Sequence, residues 1–322
     1  MSLDEATLIH LVATAFEGLV PRGALGFVDD AAALPPAAAG STRVVTTDMV
    51  VEGIDFARAL GPLESAGYRA LVQNASDLAA MGARPVGFVW SLALPRAWLD
   101  EGAASVRRFS QGAARAAREH GLALFGGDLS GTDGPMTCAV TAFGDVDGAP
   151  LLRSGARPGD AVYVSGTLGG SAAGLEVLLG KGSSPDEERA CQRHLWPVAE
   201  TTLGPALVGR ATACIDVSDG LALDLARLCK ASGVGAELDD VSAAFDPAAG
   251  QGDEAKRRAL EGGEEYRLLF TLPRGDTLDG LISAEGGPPI AIGHLVEGEG
   301  LHERHADGTT QLLTPRGWDH FA

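Results

Sequence analysis

Apolar residues recur at helical spacing over residues 3–19, which predicts an opening helix. The next patterned run, "RVVTTDMVVEGIDF" at residues 43–56, changes period. Val44, Val45, Thr46 and Thr47 are β-branched, and Met49, Val50 and Val51 resume that character, so the run predicts a strand that reads as buried on both faces. Residues 64–81 predict a helix, stopped by Gly82 with Pro85 just beyond. After it come a strand-like "VGFVWSLAL", a helix over 99–120, a short strand into "ALFGGD" and an apolar strand "MTCAVTAFGDV".

The second half restarts with a Pro-Gly turn in "RSGARPGD", a strand over 161–165, a glycine-rich loop and a helix. A further strand leads into "CIDVSDG", followed by a helix over 221–231 ended by Gly233. "GGEEYRLLFTL", "IAIGHL" and the tail "PRGWDHFA" complete the chain. Residues 240–262 are polar and weakly patterned and receive no assignment. Strands alternating with helices make an α/β (mixed α+β) chain, and its 322 residues suit two domains, 1–148 and 149–322.

Asp48 interrupts the strand run. A buried carboxylate left alone costs several kcal/mol or takes up a proton, so Asp48 needs a partner. Composition narrows what that partner is. Acids outnumber bases 43 to 25, for a net charge of −18, and a surface of that sign repels nucleic acid and anionic membranes alike. The same balance leaves carboxylates to be neutralised by bound cations. Cys138, Cys191, Cys214 and Cys229 show neither C-x-x-C spacing nor a nearby His, so they suggest neither a zinc site nor a disulfide framework. Asp4 and Glu5 give the N-terminus the wrong polarity for a signal peptide, and the apolar run over 85–95 is too short to span a bilayer, so a cytoplasmic location is expected.

The spacing excludes two phosphate loops. Gly174 lies one residue too far from Gly180-Lys181 for G-x-x-x-x-G-K-[ST], and "GTLGGSAAG" does not fit G-x-G-x-x-G. That loop still follows a strand and opens a helix, so its amides either hold an anion or form a tight turn. A second habit is more informative: aspartates sit at the ends of apolar stretches, at Asp29-Asp30, Asp48, Asp77, Asp128, Asp216 and Asp219. Any one of them alone reads as a cap or turn residue. Around Asp77, the residues Gln73, Asn74 and Ser76 place polar groups along one side of a helix. Carboxylates, hydroxyls and amides without His or Cys are hard oxygen donors suited to Mg²⁺, and Mg²⁺ in turn suggests a nucleotide phosphate.

"GFVDDAAAL", "VVTTDMVVEGIDF", "NASDLAAMGARP", "FGGDLSG", "RSGARPGD", "IDVSDG", "GGEEYRLLF" and "GWDHF" occur in the order found in the thiamine-monophosphate kinase family, part of the aminoimidazole ribonucleotide synthetase superfamily, which the chain resembles from about residue 26 onward. The resemblance implies a two-domain fold that forms a homodimer through its N-terminal sheets, with ATP and several Mg²⁺ ions in a cleft. Asp30, Thr46, Thr47, Asp48, Asp77, Asp128 and Asp216 would be metal ligands, with Asp219 close to a further ion. Gly127, Asp128, Arg153 and Ser218 would contact ATP, with Asp48, Asp128 and Arg153 at the chemistry, and Glu264 and Trp318 would hold thiamine monophosphate. The partner of Asp48 would then be Mg²⁺. The chain departs from the family at Val28, where glycine is usual, and in "EEYRL" for "EDYEL". It departs again in "EGIDF" for "EGxHF", which sets Asp55 where a substrate-facing His is expected. Such enzymes transfer the γ-phosphoryl in line, by positioning and charge neutralisation. The alternatives are a related ATP enzyme with another acceptor and a non-catalytic nucleotide-binding regulator.

Overall fold

A computed structural model describes residues 5–21, 34, 36–100, 103–305 and 307–318. The chain divides into two compact units, residues 1–78 with 85–145 and residues 79–84 with 146–322. Up to Asp147 the order is α1 (Glu5–Ala15), β1 (Ser41–Val51), α2 (Leu63–Ala80), β2 (Arg84–Pro95), α3 (Arg96–Asp100), α4 (Ala104–His120), β3 (Ala123–Thr132) and β4 (Thr137–Asp147).

The first unit's four strands form one sheet in the order β1-β4-β2-β3, with β2 and β3 parallel in a register that sets Trp90 opposite Gly127 and Ser91 opposite Asp128. Aromatic residues fill the core: Phe16 of the turn after α1 meets Trp90 edge-on at 5.3 Å between centroids, and Phe109 of α4 stacks on Trp90 at 6.3 Å. β1 is covered on one face only, not on both as its run of apolar residues predicts, and its inner neighbour β4 shows the same alternation. Val45, Thr47 and Met49 are exposed, while Thr46, Asp48 and Val50 share the covered side. The strand period of two therefore puts the hydroxyls of Thr46 and Thr47 on opposite faces.

The helix expected over 99–120 is, among the described residues, two helices. Ala103 adopts φ +61, and a left-handed residue cannot continue a right-handed helix. Glycines decide how closely α2 and α4 pack. A Cβ at Gly67 would lie 1.9 Å from the Phe109 carbonyl oxygen, and one at Gly112 would lie 1.7 Å from that of Glu64. Each glycine thus faces the other helix's backbone. Gly112→Ala is expected to destabilise the protein by about 2–3 kcal/mol and lower Tm by roughly 5–10 °C, because backbone cannot retreat as a side chain can. An unchanged Tm in a thermal melt would show that the helices do not approach this closely.

The second unit contains β5 (Ala161–Val164), α5 (Gly170–Leu178), α6 (Glu187–Leu195), α7 (Leu203–Leu207), β6 (Ala213–Val217), α8 (Leu221–Ser232), β7 (Gly235–Leu238), α9 (Gly252–Glu261), β8 (Arg267–Leu272), β9 (Ile290–Val296), β10 (Leu301–Arg304) and β11 (Thr310–Leu313). Its seven strands run β11-β10-β7-β9-β5-β8-β6 and are antiparallel except where β10 meets β7. Every residue of β6 and β8 is buried, which accounts for the unbroken apolar character of "ACIDV" and "RLLFTL" apart from one carboxylate, one guanidinium and one hydroxyl. Gly233 ends α8 in the left-handed conformation expected of it, at φ +69. In the weakly patterned stretch, the Asp240 and Asp246 side chains cap two short 3₁₀ turns, Val241–Ala244 and Pro247–Ala249, before α9 begins. Among the described residues no helix is long and apolar enough to cross a membrane.

Candidate active site

In the first unit, α2 is buried along most of its length, and beyond Glu64 only Gln73 and Asp77 are partly exposed. They are four residues apart and so lie on one side of the helix. That side faces β1: the Thr46 hydroxyl donates to Asp77 Oδ2 at 2.5 Å, and Gln73 Nε2 donates to the Met49 carbonyl at 3.4 Å. Asn74 and Ser76 do not share this face, because both are fully buried and the Asn74 amide donates to the Ala70 carbonyl at 3.0 Å. Asp48 lies two residues beyond Thr46 on the same side of β1. The Thr47 hydroxyl points the other way, donating to the Val140 carbonyl at 2.9 Å and lying 3.1 Å from the Thr141 hydroxyl.

Gly127 and Asp128 are exposed on β3, at the sheet edge opposite β1. A Cβ at Gly127 would lie 2.5 Å from the Trp90 carbonyl, so glycine is required for the two strands to pair there. Asp55 ends the turn after β1: one of its carboxylate oxygens accepts from the Val51 N–H at 2.7 Å, and its carbonyl accepts from Arg69 Nη2 at 2.9 Å. Asp29 and Asp30 lie outside the described residues. Among the described residues no three His, Cys, Asp or Glu side chains stand close enough to hold a metal ion.

In the second unit, several of the sequence-selected residues gather around one loop. Asp216 is buried near the end of β6, and Ser218 and Asp219 follow it. The loop is held by Asp224, whose Oδ2 accepts from the N–H groups of Ser218, Asp219 and Gly220 at 3.1, 3.1 and 3.2 Å. Arg227 Nη1 bridges Asp219 and Asp224 at 2.5 and 2.6 Å. Burial raises the Asp224 carboxyl above its ordinary value, against the pull of the loop amides and Arg227.

Two further segments close on the same loop. The Glu264 N–H donates to the Ser218 carbonyl at 2.7 Å, and the Trp318 N–H donates to the Asp219 carbonyl at 2.9 Å. Gly263 and Gly317 permit the approach, since Cβ atoms there would lie 2.6 Å from the Ser218 and 2.5 Å from the Asp219 carbonyl oxygens. Trp318 remains half exposed. Arg153 is also exposed, with its carbonyl accepting from the Ser232 hydroxyl at 3.1 Å. A pocket of about 500 Å³ opens behind the tail, between Leu223, Arg257, Glu261 and Arg316, and none of the sequence-selected residues lines it.

The glycine-rich loop before α5 holds an anion from its own chain. Glu265, 5% exposed, accepts from the N–H groups of Gly169 and Ser171 at 2.7 and 3.1 Å. Burial pushes its carboxyl up to about 7 despite Arg267 and the two amides. The change from "EDYEL" to "EEYRL" is accommodated by pairing: buried Arg267 meets Glu200 at 3.1 Å and also contacts Glu285. Sequence reasoning missed Asp224 and Glu265. An acid in the first turn of a helix that follows a polar loop was the available signal for Asp224, since such a residue reaches back to loop amides. Glu265 carried no local signal, because its partners lie 94 and 96 residues away.

Two family models match the chain, AIR synthase related protein N-terminal domain over residues 28–146 and C-terminal domain over 157–305. The thiamine-monophosphate kinase of Escherichia coli is 38% identical over 312 residues, covering 92% of either chain. A crystal structure of thiamine-monophosphate kinase from Stenotrophomonas maltophilia superposes with a TM-score of 0.79 at 36% identity, covering 96% of this chain and 98% of that one. A complex of AaThiL with AMPPCP and TMP superposes with a TM-score of 0.76 at 33% identity, covering 98% and 97%. The chain therefore belongs to the AIR synthase related family, and within it to the thiamine-monophosphate kinases.

Proposed function

We propose that this protein transfers the γ-phosphoryl group of ATP to thiamine monophosphate, giving thiamine diphosphate and ADP. The observation that carries the reading is the convergence of Asp216, Ser218, Asp219, Glu264 and Trp318 on one loop, in a chain whose relatives carry that activity in their name and include a complex with AMPPCP and TMP. In the transfer, the bond from the γ-phosphorus to the β,γ-bridging oxygen breaks as a bond forms to an oxygen of the substrate phosphate, and the displaced electron pair leaves with ADP. The acceptor phosphate is already ionised near neutral pH, so no strong general base is needed, and the work left to the protein is positioning and neutralisation.

The donors present suit Mg²⁺. Thr46 and Asp77 bring two hard oxygens within 2.5 Å of each other, and no His or Cys accompanies them in the motif. We assign Asp30, Thr46, Asp48, Asp77, Asp128 and Asp216 to holding Mg²⁺, with Asp219 beside a further ion and with Thr47 contributing through its backbone carbonyl, since its hydroxyl is turned to Val140 on the other face of β1. Mg²⁺ bound by these groups would neutralise phosphate oxygens as charge moves to the leaving nucleotide. Gly127, Asp128, Arg153 and Ser218 bind ATP in this reading, with Arg153 adding a second positive charge at the phosphates. Glu264 pairs with the cationic thiazolium ring, and Trp318 offers a face to stack on it. Asp55 stands at the substrate in this reading, with one carboxylate oxygen on the Val51 N–H of the turn it closes after β1.

The exposed apolar side chains of β1, Val45 and Met49, with Ile54 in the following turn, support a homodimer formed through the N-terminal sheet. Four free cysteines, three of them buried, support a reducing cytoplasm. Product analysis of the purified chain with ATP, Mg²⁺ and thiamine monophosphate tests the function. Thiamine diphosphate and ADP are expected in equal amounts. Turnover only with another acceptor, or nucleotide binding without turnover, would overturn the assignment.

A further inference from the structure

We propose that His194 and Glu265 are positioning residues that hold the Glu264 carboxylate ready for the thiamine substrate, in a polar ring closed through Ser171; the proposal rests on the reading of Glu264 as the thiamine contact. The ring can be followed atom by atom. Glu265 accepts from the Ser171 N–H at 3.1 Å, the Ser171 hydroxyl lies 3.2 Å from His194 Nδ1, and the same nitrogen lies 3.4 Å from Glu264 Oε2. The peptide bond between Glu264 and Glu265 completes the circuit. A proton on Nδ1 serves the carboxylate and the hydroxyl oxygen together.

Exposure assigns the roles within the ring. The His194 side chain is 7% exposed and that of Glu264 is 30% exposed, so the supporting group is enclosed while the carboxylate it holds reaches solvent. Glu265 cannot serve the substrate directly, because it is buried against the start of α5. The backbone between them is held against its preference. Glu264 and Tyr266 adopt φ +60 and +52, which L-residues with side chains of this size disfavour. Such a conformation persists only where its surroundings over-determine it. Here Glu264 N–H to Ser218, Tyr266 N–H to Val217, and the Glu265 carboxylate on Gly169 and Ser171 do so.

A carboxylate fixed before the substrate arrives loses less freedom on binding, so the ring should act on thiamine monophosphate affinity and leave ATP affinity alone. A merely structural role would instead lower the melting temperature and move both Michaelis constants together or neither.

The test uses the purified full chain with five variants: His194→Ala, His194→Asn, Glu264→Ala, Glu265→Ala and Glu265→Gln. In His194→Ala the KM for thiamine monophosphate is expected to rise roughly tenfold while the KM for ATP stays within about twofold. His194→Asn, whose amide nitrogen can stand near Nδ1, restores most of the loss. Glu265→Gln keeps an oxygen that accepts from both amides and likewise restores most of what Glu265→Ala loses. If Glu265→Ala fails to fold, the His194 pair carries the test alone. Adding His194→Ala to Glu264→Ala should change KM by no more than about twofold, since the group being positioned is gone. A tenfold effect repeated in that background, or equal rises for both substrates, overturns the positioning role. If Glu264→Ala itself leaves the KM for thiamine monophosphate unchanged, the substrate reading of Glu264 is wrong and the proposal falls with it, which separates that failure from a failure of the ring.

Discussion

Asp77→Asn is expected to lower turnover about 10²- to 10³-fold while leaving the fold intact. The Thr46 hydroxyl donates to Asp77 Oδ2, and an asparagine oxygen can accept the same bond, so the contact between α2 and β1 survives the change. What is lost is a negative charge on the one side of α2 that is open to β1. If that charge holds Mg²⁺, its removal forfeits several kcal/mol of phosphate neutralisation, and each 1.36 kcal/mol is about a factor of ten in rate. The measurement is kcat at saturating ATP across a Mg²⁺ titration, with a thermal melt as the control for folding. The variant should need more Mg²⁺ and should not recover the parent rate. Parent-like turnover at limiting Mg²⁺ would remove Asp77 from the metal site, and a collapse of the melt would return it to the role of a packing residue.

Why Asp77 was legible and Glu265 was not follows from distance along the chain. The period of α2, its stop at Gly82 and the placing of Asp77 four residues after Gln73 are local properties, set by 3.6 residues per turn and by glycine's tolerance of positive φ, here +74. The strand around Asp48 was legible as a strand but not in its environment. A run of Val, Thr and Met reads alike whether one face of its sheet is covered or both, and which faces are covered is decided by elements elsewhere in the chain. Helical spacing credits Asn74 and Ser76 to the polar face because it counts polar residues without knowing which side other elements cover, and both are buried. The break between α3 and α4 rests on Ala103 in the left-handed region, where alanine gives no warning.

Asp246 shows the same limit from the other direction, since it falls in the stretch left without assignment and yet anchors a buried network. Its carboxylate is fully enclosed and accepts from Arg189 at 2.8 and 3.0 Å, from Arg193 at 2.8 Å, from the Thr167 hydroxyl at 2.8 Å and from the Ala248 N–H at 2.9 Å. Asp246→Asn turns an amide N–H₂ toward guanidinium donors and leaves the mostly buried Arg193 without that counter-charge. Breaking one side of a buried ion pair costs about 3–5 kcal/mol, so Tm should fall by roughly 10 °C or more. The pH dependence carries its own sign. Burial alone would raise the Asp246 carboxyl, but the hydrogen bonds from Arg189 and the charge of Arg193 outweigh it and hold the group well below the usual carboxylate range. A group whose folded value is depressed contributes stability that is fully present above its unfolded value of about 3.9 and is lost as pH falls toward the folded one. Denaturant midpoints for parent and variant should therefore differ by a constant amount between about pH 5 and pH 7 and converge as the pH drops below about 4. A gap that stays constant into acid would mean that the carboxylate's charge contributes nothing there and that the variant's loss comes from packing alone.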